Sequence, residues 1–104
     1  MIVVRIGSDE RDMTGPIDEQ WINEQINRRH QAGEMVCIRV TIHDGDLNMV
    51  LTTPGCGGGG AGGRMPTASE REIFDLWATR GLNAPGFSGG NLVAFLKQLR
   101  KVTA

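Results

Sequence analysis

Residues 35–52 alternate between apolar and polar side chains, and this alternation constrains the fold more than any other part of the sequence. One set of alternate positions holds Val36, Ile38, Val40 and Ile42, and the other holds Cys37, Arg39, Thr41 and His43. A period of two is that of a β-strand with one buried face. Asp44-Gly45 then signals a tight turn, after which Leu47, Met49 and Leu51 continue the alternation. The stretch therefore predicts a β-hairpin.

A strand and a helix are predicted before the hairpin. Ile2–Ile6 is dense in β-branched residues, which favour strands. The polar residues 7–12 are interpreted as a solvated loop. Pro16 suits the first turn of a helix, because its missing N–H would be unpaired there, and Gly33 is a suitable end for that helix. The apolar side chains between them recur at helical spacing: Ile17, Trp21, Ile22 and Ile26.

Two more helices are predicted after the hairpin. Thr67-x-x-Glu70 and Ser69-x-x-Glu72 both fit a capping box, in which a hydroxyl and a carboxylate satisfy the free N–H groups at a helix start. Either Ser88 or Asn91 caps the last helix. The apolar faces are Ile73, Phe74, Leu76 and Trp77 in the first of these helices and Leu92, Phe95, Leu96, Leu99 and Val102 in the second.

The predicted order is β-α-β-β-α-α, which indicates a two-layer α+β fold with the helices packed on one face of a three-stranded mixed sheet. The crossover through the first helix would place the first and second strands parallel. Whether the first strand lies beside the second or the third is left open by the sequence. A length of 104 residues fits one domain, residues 1–104.

Charge, hydropathy and cysteine content narrow the class of protein. The net charge of -1 lacks the basic excess of most nucleic-acid-binding domains, so nucleic acid is a disfavoured partner. No segment approaches the roughly 20 apolar residues of a membrane span, and the start lacks a secretory pattern. Two cysteines are too few for a disulfide scaffold. These features predict a soluble, cytoplasmic protein whose two thiols stay reduced.

A glycine-rich segment, residues 55–63, holds seven of the 15 glycines. Ordering glycine costs more backbone entropy than ordering any other residue, so the segment is expected to be a flexible loop. The setting between a strand and a capped helix also resembles that of loops that cradle phosphates. The candidate anion ligands are the backbone of Gly57, Gly58, Gly59, Gly60, Gly62 and Gly63 and the side chain of Arg64. Arg64-Met65-Pro66 replaces the Gly-Lys-Ser/Thr ending of a P-loop, however, which weakens this interpretation.

Cys56 is the candidate reactive thiol, because it lies in the glycine-rich segment and is expected to be exposed. A nucleophile needs a rigid setting, which polyglycine does not provide. His43, Asp44 and Asp46 crowd the hairpin turn but read as turn residues, so no metal is predicted. No cofactor is indicated either. The sequence favours a protein-interaction module with a flexible glycine-rich loop and an unknown protein partner. The alternative is an anion- or nucleotide-binding domain or small enzyme that uses the loop, Arg64 and the following helix start.

Overall fold

In the residues that the structure describes, the fold consists of a four-stranded antiparallel sheet and a layer of three helices. The structure is a computed structural model and describes residues 1–57, 59–61 and 63–103. The elements in chain order are β1 (Ile2–Ile6), β2 (Asp9–Asp12), α1 (Glu19–Gln31), β3 (Ile38–Asp44), β4 (Leu47–Thr52), α2 (Ala68–Thr79) and α3 (Gly89–Thr103). The strands lie in the order β2-β1-β3-β4. The α+β class predicted from the sequence is confirmed.

The prediction of a three-stranded sheet is wrong, because residues 9–12 form strand β2 rather than a loop. β2 pairs antiparallel with β1, from Val3 opposite Asp12 to Ile6 opposite Asp9. All four residues of β2 are charged and exposed. An edge strand with no buried side chain has no apolar alternation, and charges protect such an edge from pairing with other chains. The periodicity that reveals β3 and β4 is therefore missing from β2.

The prediction of a mixed sheet with β1 and β3 parallel is also wrong. β1 runs antiparallel to β3, with Ile2 opposite Ile42 and Ile6 opposite Ile38. The unpredicted β1–β2 hairpin reverses the chain before α1 begins. The crossover through α1 therefore joins β2 to β3, which point the same way on either side of β1. The rule that crossovers join parallel strands holds, but it applies to a different pair of strands.

The hairpin of β3 and β4 is confirmed, with Arg39 opposite Thr52 and Asp44 opposite Leu47. Gly45 in its turn has a φ of 58°, a conformation that favours glycine. The predicted burial register is confirmed as well. The buried side chains of residues 36–42 are Val36, Ile38, Val40 and Ile42, and they share one core with Ile22, Ile26, Leu92, Phe95 and Leu96.

Helix α1 begins later than predicted. Asp18 is its N-cap and accepts a hydrogen bond from the backbone N–H of Trp21, at 3.1 Å. Pro16 therefore lies before the helix. The first residue of α3, Gly89, approaches α1 so closely that an added Cβ would lie 3.3 Å from the Cα of Asn23. This contact brings α1 and α3 together over the sheet.

The burial register can be tested with a matched pair of variants on β3. We expect Ile38→Ala to lower the free energy of unfolding by about 2–5 kcal/mol, because it removes buried methyl groups and leaves a cavity. Thr41→Ala, on the opposite face of the same strand, should cost less than about 1 kcal/mol. Urea unfolding monitored by circular dichroism measures both. Equal losses for the two variants would contradict the register.

Candidate functional site

Part of the glycine-rich segment, at Gly59 and Gly60, lies along the outer edge of β4. Val50 donates its N–H to the carbonyl of Gly60 at 2.8 Å, and Gly60 donates its N–H to the carbonyl of Val50 at 2.8 Å. The carbonyl of Gly57 accepts a hydrogen bond from the hydroxyl of Thr52, and Ala61 is buried. The sequence predicts a free loop here, but these described residues are attached to the sheet.

Gly59 explains why this part of the segment needs glycine. A Cβ at Gly59 would lie 2.5 Å from the carbonyl oxygen of Val50 and 3.4 Å from the backbone nitrogen of Thr52. Both neighbours are backbone atoms of a paired strand and have little room to move. Glycine is required because the two backbones approach more closely than any side chain allows.

Arg64 and Glu70 continue the cover of the same edge. The guanidinium of Arg64 donates to both carboxylate oxygens of Glu70, at 2.7 and 2.6 Å, and to the carbonyl of Asn48 at 2.9 Å. The buried carboxylate of Glu70 also accepts the N–H of Asn48 at 2.8 Å and that of Thr67 at 2.8 Å. The hydrogen bonds from Arg64, followed by those from Thr67 and Asn48, hold the pKa of Glu70 far below its ordinary value. The Arg64–Glu70 ion pair thus forms hydrogen bonds with the N–H and the carbonyl of Asn48. These groups lie on the outer edge of β4, where a fifth strand would otherwise pair.

The predicted anion-binding residues lie in different environments in the structure. Both terminal nitrogens of Arg64 are bonded to Glu70, whose carboxylate also takes the N–H at the start of α2. Among the glycines, Gly59 and Gly60 follow the edge of β4, and Gly57 and Gly63 are exposed. Gly58 and Gly62 lie outside the described residues. An external anion at Arg64 would have to compete with Glu70, and anion binding there stays a prediction.

The expectation of two free thiols is wrong, because Cys37 and Cys56 form a disulfide, with their Cα atoms 5.4 Å apart. The turn at residues 53–56 folds back towards the start of β3, which the sequence does not indicate. Cys56, the candidate reactive thiol, is therefore bonded in this structure. Disulfides persist mainly in oxidising compartments. The cysteines thus no longer support the cytoplasmic location, which stays a prediction.

The face of the sheet turned away from the helices, here called the open face, carries two arginines side by side. Arg5 of β1 and Arg39 of β3 are directly opposite each other in the sheet. They line a cavity of about 190 Å³, here called the arginine pocket, together with Gly7, Cys37 and Cys56. The disulfide forms one wall of this pocket.

The arginine pair lacks an acidic partner within the described chain. Arg5 donates its Nε–H to the carbonyl of Gly7 at 3.0 Å. None of the ion pairs among the described residues, with N–O distances up to 4.0 Å, includes Arg5 or Arg39. Like charges directly opposite in a sheet are destabilising, so the pair costs stability. Glu10 of β2 is opposite Arg5 on its other side, but no ion pair among the described residues joins them. The sequence places Arg39 on the open face, but it cannot pair Arg39 with Arg5 because strand order is not a local property.

Other candidate sites carry less chemistry. An apolar groove of about 460 Å³ lies between the end of α1 and two loops, and its lining is His30, Glu34, Met35, Val36, Pro54, Gly55, Pro85, Gly86 and Phe87.

His43 contacts Asn48 through Nδ1 at 3.0 Å. In the described part of the chain, no three His, Cys, Asp or Glu side chains converge as metal ligands. None of the described helices has the length and apolar character needed to cross a membrane.

The role of Glu70 predicts a specific pH dependence of stability. The pKa of Glu70 is lowered on folding from an ordinary value of 4.5. The stability contributed by its ionised form is therefore fully present above pH 4.5 and is lost as the pH falls from there towards the folded-state pKa. We expect Glu70→Gln to lower stability at pH 7 and to flatten its decrease below pH 4.5, measured by urea unfolding across pH 2–7. Glu72→Gln, exposed on the same helix, is the control, and a wild-type acid profile in Glu70→Gln would contradict this role.

The close approach at Gly59 gives a second test. Gly59→Ala forces the segment away from β4, and we expect a loss of about 1–3 kcal/mol in the free energy of unfolding, as is usual for overpacked sites. Gly15→Ala is the matched control, because a Cβ there meets no atom within 4 Å. Faster hydrogen exchange at the Val50 amide in Gly59→Ala alone would identify the lost pairing. Protection of that amide in both variants would refute the assignment.

Comparisons of this chain with models of protein families, with curated proteins and with solved structures found no match to any of them.

Proposed function

We propose that this domain is a protein-interaction module that binds an acidic segment of a partner protein on the open face of its sheet. The observation that carries the proposal is the pair Arg5 and Arg39, adjacent on that face and without a carboxylate partner among the described residues. Two guanidinium groups next to each other favour carboxylates, which they bind with parallel charge-assisted hydrogen bonds. A bound carboxylate would also relieve the repulsion between the two arginines.

The side of the arginine pair that faces β4 favours an acidic occupant. The acids on the open face belong to edge strand β2, where Glu10 is opposite Arg5 and Asp12 is opposite Val3. On the other side, towards β4, the neighbour of Arg39 is Thr52. The remaining side chains over β1, β3 and β4 near the pair are half-buried and uncharged: Val3, Thr41, Val50 and Thr52. A carboxylate that approaches the pair over β1, β3 and β4 therefore comes close to two arginines, and these three strands place no acidic side chain beside them.

The open face is a better docking surface than either edge of the sheet. The exposed edge strand β2 consists of charged residues, which oppose the addition of another strand. The opposite edge is covered where Gly60 pairs with Val50 and where Arg64 and Glu70 bond Asn48. A partner would therefore contact side chains of the sheet instead of extending it.

The size of the arginine pocket favours a protein segment over a free nucleotide. Sites for drug-sized molecules usually enclose roughly 300–1,000 Å³, and the arginine pocket encloses about 190 Å³. That volume accommodates the end of one acidic side chain. The contacts that complete the affinity would then come from the surrounding open face, which a protein segment covers and a small anion does not.

A titration with a synthetic peptide of six glutamates tests the proposal. We expect saturable shifts of the backbone amides of Val3–Arg5 and Arg39–Thr41 in two-dimensional NMR spectra of the labelled protein. Arg39→Gln should weaken binding about fivefold or more, because a charge-assisted hydrogen bond is lost. Arg71→Gln, an exposed arginine of α2 that is absent from the ion pairs of the described chain, is the matched control. It should bind as the wild type does.

The same titration includes ATP and inorganic phosphate, which test the alternative of anion binding at the glycine-rich segment. Shifts at Arg64 and at residues 68–70 with ATP, abolished by Arg64→Gln, would replace the interaction module with a nucleotide-binding domain. Equal loss of peptide binding in Arg39→Gln and Arg71→Gln would mean that the peptide responds to net charge alone, and would overturn the proposed surface.

A further inference from the structure

We infer that the arginine pocket is a redox-dependent carboxylate site, which holds one carboxylate group of the partner while Cys37 and Cys56 are bonded and loses affinity for it once a dithiol reduces them. This inference rests on the proposed function, since it concerns how the same surface is regulated. It is carried by the position of the disulfide, which lines the pocket together with Arg5 and Arg39.

The disulfide places the start of the glycine-rich segment, Cys56 and Gly57, against the arginine pair. Cys37 is two residues before Arg39, so both side chains point to the open face. Cys56 is at the start of the segment and is followed by Gly57, where an added Cβ would lie 4.0 Å from a terminal nitrogen of Arg39. The bond between the cysteines thus fixes the backbone that runs beside the guanidinium of Arg39 and limits the positions which that side chain can take.

The contacts among the described residues that hold Cys56 and Gly57 in place after reduction are few. Thr53 contacts the sulfur of Cys56 through its hydroxyl, at 3.2 Å, and Thr52 donates its hydroxyl to the carbonyl of Gly57, at 3.1 Å. Thr53 is buried and stays bonded to β3, since its hydroxyl accepts the N–H of Ile38 at 3.0 Å, whereas the contact between Thr52 and Gly57 is exposed. The next attachment is the pairing of Gly60 with Val50. Without the disulfide, the wall of the pocket consists of backbone that glycine leaves free to rearrange.

Reduction is a balanced thiol–disulfide exchange with a dithiol as the co-reactant. A thiolate of the dithiol attacks one sulfur of the Cys37–Cys56 bond and forms a mixed disulfide, which releases the other cysteine as a thiolate that takes up a proton. The second thiol of the reagent then loses its proton, attacks the mixed disulfide and releases the remaining cysteine, which is protonated in turn. The two cysteines together gain two electrons and two protons, and the dithiol loses the same number as it closes its own disulfide.

The direction of the effect follows from preorganisation. In the oxidised protein the wall is in place before the carboxylate arrives, so binding does not have to order it. In the reduced protein, binding must order the turn and the Arg39 side chain at the same time. We expect the affinity for the hexaglutamate peptide to fall by about three- to tenfold, the range that corresponds to ordering one or two side chains.

The experiment compares three samples of the protein with the hexaglutamate peptide. The first is the oxidised protein, whose disulfide is verified by intact mass. The second is the same protein reduced with dithiothreitol, and the third is the double variant Cys37→Ala/Cys56→Ala. The oxidised protein should bind the most tightly, and the other two should bind alike. Reoxidation should restore the affinity of the reduced sample, which separates regulation from unfolding.

Two controls separate the pocket from general effects of the reductant. Dithiothreitol should leave the affinity of the double cysteine variant unchanged. In Arg39→Gln, oxidised and reduced protein should bind with similar, weak affinity, because the side chain that the disulfide positions is gone.

Each result decides between the two proposals. Equal affinity of oxidised and reduced protein, or tighter binding after reduction, overturns the redox inference and leaves the interaction surface standing. A native mass that shows two free thiols in protein purified in air overturns the inference as well. Absence of peptide binding in all three samples overturns the proposed function and the inference together.

Discussion

The buried carboxylate of Glu70 joins three parts of the molecule that are distant in the sequence. It caps the start of α2 through Thr67, accepts the N–H of Asn48 on the outer edge of β4, and pairs with Arg64 at the end of the glycine-rich segment. Burial removes water from the carboxylate oxygens, so other hydrogen-bond donors must replace it. Here the donors are the backbone N–H groups of Thr67 and Asn48 and the guanidinium of Arg64. Arg64 and the disulfide thus lie at the two ends of the glycine-rich segment, and between them Gly59 and Gly60 follow β4.

The described residues of the glycine-rich segment accordingly cover this edge of the sheet and are bonded to it at separate points. Glycine allows the approach of Gly59 to the backbone of Val50, and the bonds of Gly57 and Gly60 to β4 limit the backbone entropy of these residues. The segment closes one edge of the sheet, and charge protects the other edge at β2. One edge is covered, the other is charged, and the helices pack on one face, so the open face is the remaining surface of the sheet. It carries the opposed arginines, with the disulfide beside them.

Local patterns in the sequence predicted what depends on local structure. The alternation of Val36, Ile38, Val40 and Ile42 identified the hairpin and its buried face. Two overlapping capping boxes placed the start of α2 to within two residues, and the structure uses the one at Thr67 and Glu70. Strand β2 had no such pattern, because its side chains are all exposed and its pairing uses backbone groups alone. The antiparallel direction of β1 and β3 followed from β2, so the error in one element became an error in topology.

The candidate site was predicted only in part, for the same reason. Glu70 was recognised as a cap and Arg64 as a candidate ligand, but the sequence did not show that the two bind each other. Neither the pairing of Arg5 with Arg39 nor that of Cys37 with Cys56 has a sequence signal, because the members of each pair are brought together by strand order and by the turn after β4. The sequence by itself determined the three helices, the hairpin and the part of the core that these elements carry, since periodicity and caps act within a few residues. It did not identify the buried side chains of Met13, Leu82, Phe87 and Val93, and Val102, which it placed on an apolar face, is exposed. Only the tertiary structure decided the sheet order, the disulfide and the opposed arginines of the open face, because these depend on contacts between residues that are far apart along the chain.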